Sequence, residues 1–145
     1  MTRFAKEAKT LVNPVQLADD AVLALASLER GGELMPELLS EGIKLCDYLI
    51  TLLKELKTPA DRRPHFAFRA VDADERSLQE SKVNSKEVEE MREKLCDLLK
   101  DPTSHAKEEV RSIQEFLMRV TMPMWQYRAA ESQERKLKRG VIVRD

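Results

Sequence analysis

Histidine occurs twice in this sequence, cysteine twice and glycine four times. These scarcities remove much familiar chemistry at the outset. No Glu-x-x-His is present, so the signature of a di-iron helical bundle is missing. No glycine-rich loop can cradle a phosphate, and no nucleophile elbow occurs. A catalytic cysteine needs an exposed thiolate and a nearby base. Cys46 and Cys96 instead fall on the apolar faces of their predicted helices, and they read as buried, reduced thiols of a cytoplasmic protein. Two thiols make no disulfide framework, and no secretory signal is read ahead of them. A bridge between them would need Cα atoms within ~7 Å.

Charge of one sign is also lacking. The formal net charge is -1 although 35% of residues are charged, so no global field steers the chain towards nucleic acid or acidic lipid. With Gly 4, Pro 6 and few β-branched residues, little interrupts helix, and Leu, Glu, Lys, Ala and Arg dominate. Hydrophobic residues at 42% of 145 suffice for one core.

The stretch from Pro36 to Lys57 organises the rest. Leu38, Leu39, Gly42, Ile43, Leu45, Cys46, Leu49, Ile50, Leu52, Leu53 and Leu56 recur at three- and four-residue steps over more than half a helix surface. Glu37, Glu41, Lys44, Tyr48, Thr51 and Glu55 keep one strip polar, and Ser40, Asp47 and Lys54 widen it. That strip excludes a membrane span, because each charge at the centre of a bilayer costs about 3 kcal/mol. The pattern predicts a helix surrounded by partner helices.

Around it, Asn13-Pro14 stops one helix and starts the next, which runs to Arg30 and ends at Gly31-Gly32. The short link to Pro36 implies an antiparallel hairpin. Before it, residues 2–12 carry Phe4, Ala8, Leu11 and Val12 on one side and Arg3, Lys6 and Lys9 on the other. This fits a short amphipathic helix docked on the core. Residues 58–72 form a long irregular segment containing two prolines, with Phe66 and Phe68 on one side, and the connection as a whole is expected to run from 58 to 84. Ser85–Lys100 and Ser104–Val120 read as two further helices. Pro123 is expected to kink or restart the last of these. A charged extension follows over 131–145, where Val141–Val143 could pair with the Phe66–Phe68 segment.

Candidates for chemistry are few. His105 with Glu109 could share a metal, but no third ligand is recognisable. Asp72-Ala-Asp-Glu75 offers three carboxylates in a predicted loop, without the glycine and terminal glutamate of a calcium loop. Glu90 and Glu93 have the one-turn spacing seen in helical nucleotide pyrophosphohydrolases that hold magnesium, yet no matching inward acidic pair returns from another helix. A metal-dependent hydrolase is therefore the third reading, and no metal, cofactor or catalytic residue is assigned.

Two surfaces remain. Met118, Met122, Met124, Trp125 and Tyr127 crowd about the proline, and soft, large side chains of this kind suit a protein partner or a second copy of the chain. Arg128, Arg135, Lys136, Lys138 and Arg139 beside Trp125 and Tyr127 suit phosphates and a stacked base. The expectation is one cytoplasmic, membrane-free, all-α domain of four to five helices over 1–145, with one long crossover. Its first expected role is protein–protein interaction or homo-oligomer assembly, and its second is nucleic-acid binding.

Overall fold

The computed structural model describes residues 12–57 and 69–139. Among them are five helices and no strand: α1 Pro14–Glu29, α2 Pro36–Lys57, α3 Arg69–Ser81, α4 Ser85–Lys100 and α5 Lys107–Arg139. The all-α bundle expected from composition is what forms. α1 and α2 make the hairpin, α5 lies along α1, α4 lies along α2, and α3 packs chiefly on α5.

Local chemistry sets these boundaries. Asn13 accepts a hydrogen bond from the Gln16 amide at 3.2 Å, and Pro14 occupies the first turn of α1. At its other end Gly31 adopts φ 77, its amide donates to the Leu28 carbonyl, and the Gly32 amide donates to the Ser27 carbonyl at 2.7 Å. This is a Schellman closure. A side chain at Gly32 would put its Cβ 2.7 Å from Ser27 Oγ, so the second glycine is required by close approach.

The breadth of α2 is used as expected. Leu39, Leu45, Cys46, Leu49, Leu52 and Leu53 are buried. Gly42 lets three helices converge, since a Cβ there would lie 3.0 Å from Ala21 Cβ of α1 and 3.1 Å from Leu95 Cδ1 of α4. Tyr48 departs from the sequence expectation. It was assigned to the polar strip but is buried, because its ring packs with the core while its hydroxyl finds a partner on α3.

Within the connection expected over 58–84, the described part from residue 69 begins as helix. α3 spans Arg69–Ser81, so Asp72–Glu75 is helical and not a loop. Its inward face is Ala73, Asp74, Ser77 and Leu78, all buried. Half of that face is polar, which hid it from a search for hydrophobic periodicity. Lys82 then takes φ 56 and ends the helix, and Asn84 caps α4 by accepting from the Glu87 amide at 2.8 Å. The packing of Phe66 and Phe68, their pairing with Val141–Val143 and the docking of residues 2–11 lie outside the described residues.

α4 closes at Asp101, whose Oδ1 accepts from both the amide (3.0 Å) and the hydroxyl (2.7 Å) of Thr103. This turn delays α5 to Lys107, a few residues later than expected. α5 is 33 residues long, which is about 50 Å at about 1.5 Å per residue. It runs through Pro123 without restarting. The lost amide would have served the carbonyl of Arg119, an exposed position where water can replace it, while Val120, Thr121 and Met124 remain buried on the core side.

Candidate functional site

Charged and polar groups inside the bundle come first, because a buried one that is unmatched would mark a site. Asp74 is fully buried. Arg128 reaches it from α5 with Nε at 2.9 Å from Oδ1 and Nη2 at 2.6 Å from Oδ2. The Tyr48 hydroxyl donates to the same Oδ2 at 2.5 Å, and Arg128 Nη2 also donates to the Val12 carbonyl at 3.0 Å. The carboxylate is thus matched by a bidentate cation and a phenol. Burial, followed by the charge of Asp74, pushes the Tyr48 phenol well above its ordinary range. The cluster ties α2, α3 and α5 to the start of α1. It is saturated by its own members, and that makes it a structural fastening.

A second cluster joins α4 to α5. His105 Nδ1 lies 3.3 Å from Glu109 Oε1, its Nε2 lies 3.5 Å from Asp97 Oδ2, and Lys94 Nζ lies 3.2 Å from Glu109 Oε2. Hydrogen bonding from His105 and then Lys94 lowers the pKa of Glu109. The imidazole is mostly covered. Among the described residues no group of three His, Cys, Asp or Glu side chains is placed to hold a metal ion. Glu90 and Glu93 are exposed on α4. Cys46 is buried, and that burial pushes its thiol up to about 12; Cys96 is partly covered, with its sulfur 3.8 Å from Arg92 Nη1. Both cysteines are free.

The candidate site is therefore a surface. Met118, Met122 and Trp125 stand at i, i+4 and i+7 of α5 and form one stripe. They are 46%, 60% and 61% exposed, and Leu23 on α1 is 54% exposed; these are the large apolar side chains left in solvent among the described residues. Val15 and Asp19 of α1, with Thr121 and Gln126, complete an open groove of about 280 Å³ between the two helices. α1 and α5 run antiparallel here: Val12 meets Arg128 at one end and Glu29 meets Arg111 at the other.

The five residues singled out from sequence separate into different environments. Met118, Met122 and Trp125 come together. Met124 is a correction: it points the opposite way and is wholly buried with Ile113, Leu117 and Val120. Tyr127 is half-buried and does not line the groove. The physical reason is the helical period, since consecutive residues turn by about 100° and cannot share a face. The buried stripe Ile113, Phe116, Leu117, Val120 continues at helical spacing to Met124, although the sequence reading grouped Met124 with the surface. Val15, Asp19 and Leu23 were missed because nothing in sequence says which helix lies beside α5. In the basic group, Arg128 is engaged by Asp74; Arg135, Lys136, Lys138 and Arg139 occupy the last turns of α5, where side chains lie outside the described residues.

No family model, curated protein or solved structure matches this chain. The class that fold and surface define is an all-α bundle with an apolar groove open to solvent. No helix among the described residues is long and apolar enough to cross a membrane.

Proposed function

We propose that this protein is a non-enzymatic protein–protein interaction module of the cytoplasm, and that its α1–α5 groove receives an amphipathic helix with basic residues beside its apolar stripe. The observation that carries this reading is the exposed stripe Met118, Met122, Trp125 facing Val15 and Asp19 across the groove. Isolated exposed apolar side chains are ordinary, but several in one groove are characteristic of surfaces that bind. Methionines adapt to the shape of an incoming helix, and tryptophan is enriched at energetic centres of interfaces. Covering the exposed half of each contributes on the order of 1 kcal/mol. Asp19 makes no ion pair with another described residue, and a carboxylate at an apolar wall favours a cation on the occupant. The free thiols Cys46 and Cys96 are compatible with a reducing compartment.

Trp125 is the one tryptophan of the chain, so its fluorescence reads the groove directly. A synthetic helix with leucines at i, i+4, i+7 and flanking lysines is expected to shift Trp125 emission to the blue saturably. Met122→Asp abolishes this and Asp19→Lys weakens it. Sedimentation of the wild type and Met122→Asp shows whether a second copy serves as the partner. A monomer whose Trp125 ignores the peptide overturns the reading. The nucleic-acid alternative has lost Arg128 to Asp74, and it rests on Arg135, Lys136, Lys138 and Arg139.

A further inference from the structure

A second pocket, of about 320 Å³, lies where the end of α2 meets the end of α3 and the start of α4. It shares no lining residue with the α1–α5 groove. Leu53, Leu78 and Val83, all buried, and the half-buried Leu56 supply its apolar wall. Lys57 and Lys82 stand in the same lining, and no Asp or Glu does. Lys57 Nζ donates to Ser85 Oγ at 3.4 Å, which ties the last turn of α2 to the first of α4. Neither lysine makes an ion pair with another described residue. Lys82 is also not what the backbone asks for. At φ 56 a glycine would turn the chain without strain, so the lysine adds a charge to the pocket at some cost to the turn.

We propose that this pocket binds a small amphiphilic anion: a carboxylate or phosphate head on a short unbranched apolar chain. The chain lies against Leu53, Leu56, Leu78 and Val83, and the head engages Lys57 and Lys82. Small-molecule sites have this composition, an apolar body with a few polar groups that fix orientation, and they begin at about 300 Å³. Charge complementarity selects the head. Two ammonium groups with no carboxylate beside them favour an anion, and an apolar wall strengthens that attraction by keeping high-dielectric water away. The Ser85 hydroxyl can donate to the same head while it accepts from Lys57. The site is independent of the docking reading above, since it uses other helices and other residues.

Calorimetric titration of the full chain with octanoate is expected to show saturable binding at one site, below the concentration at which octanoate forms micelles. Each methylene added between butanoate and octanoate strengthens binding by up to about fourfold. Octanol has the same chain without the charge and binds several times more weakly. Lys82→Gly is the variant that separates binding from folding: it retains or raises the thermal midpoint and weakens octanoate by about two- to fivefold. Lys57→Gln weakens it by a similar factor, and the two together weaken it further. Octyl phosphate identifies the head. Tighter binding than octanoate assigns a phosphate and weaker binding a carboxylate, and either result supports the proposal. Trp125 emission stays unchanged throughout, because the groove is not involved. Absent saturation, octanol equal to octanoate, or an affinity indifferent to Lys57 and Lys82 overturns the proposal. Octanoate that shifts Trp125 emission and ignores Lys82→Gly occupies the α1–α5 groove, which overturns it too. Inorganic phosphate binding as tightly as octyl phosphate overturns the amphiphilic class.

Discussion

Asp74 and Arg128 lie 54 residues apart and meet through two hydrogen bonds of 2.9 and 2.6 Å inside the bundle. Removing either partner leaves an uncompensated buried charge, which costs more than the pair itself contributes. Asp74→Ala and Arg128→Ala are each expected to destabilise by about 3–5 kcal/mol in urea unfolding. Tyr48→Phe removes one bond to a charged acceptor and costs about 1.5–3 kcal/mol. If the three act as a unit, the double variant Tyr48→Phe, Asp74→Ala costs less than the sum.

Alkaline sensitivity follows from Cys46 and Tyr48. Cys46 is raised from 9.0 to about 12 by burial, and Tyr48 is raised above 10.0 by burial and Asp74. Above pH 9 the unfolded chain releases these protons while the folded chain keeps them, so stability falls as pH rises. It is fully present below pH 9 and declines towards pH 12, by at most about 1.4 kcal/mol per pH unit for each group. Urea midpoints from pH 8 to 11 measure this. Cys46→Ala flattens the part that begins near pH 9.

Gly42 marks the convergence of α1, α2 and α4. Gly42→Val forces Ala21 and Leu95 apart and is expected to cost about 1–3 kcal/mol. Gly42→Ala costs less, because alanine gains about 1 kcal/mol of helix propensity over glycine. A Gly42→Val variant as stable as the wild type would mean that the three helices do not pack this closely.

Lys82 holds φ 56, a left-handed conformation that glycine adopts without strain. Lys82→Gly is expected to stabilise the bundle by about 0.5–1 kcal/mol, read as a higher thermal midpoint.

Met122 and Met124 are two residues apart and face opposite ways. Met124→Ala is expected to cost about 2–5 kcal/mol by opening a cavity. Met122→Ala stays within about 0.5 kcal/mol of the wild type, because it lies on the surface. Equal costs would deny the distinction between core and groove.

Local rules carried much of the bundle. The Asn13-Pro14 start, the Gly31-Gly32 stop and the breadth of α2 each follow from neighbours within one or two turns, and each forms as expected. The inward stripe of α5 was equally legible, and strict use of it would have separated Met124 from Met118, Met122 and Trp125. α3 was not legible, because its buried face contains Asp74 and Ser77; these polar residues become suitable for a core only when Arg128 and Tyr48 arrive from distant helices.

The amino-acid sequence by itself determined the helical class, most helix boundaries and the hairpin, since all of these depend on short-range hydrogen bonding and periodicity. Tertiary structure alone decided that Tyr48 points inward, that Arg128 is an internal cation, and that α1 lies beside α5 so that Val15 and Asp19 face Met118, Met122 and Trp125. The candidate site consists of residues about a hundred positions apart, and no local interaction encodes that meeting. It results from the bundle burying its widest apolar faces first, which leaves this stripe in water.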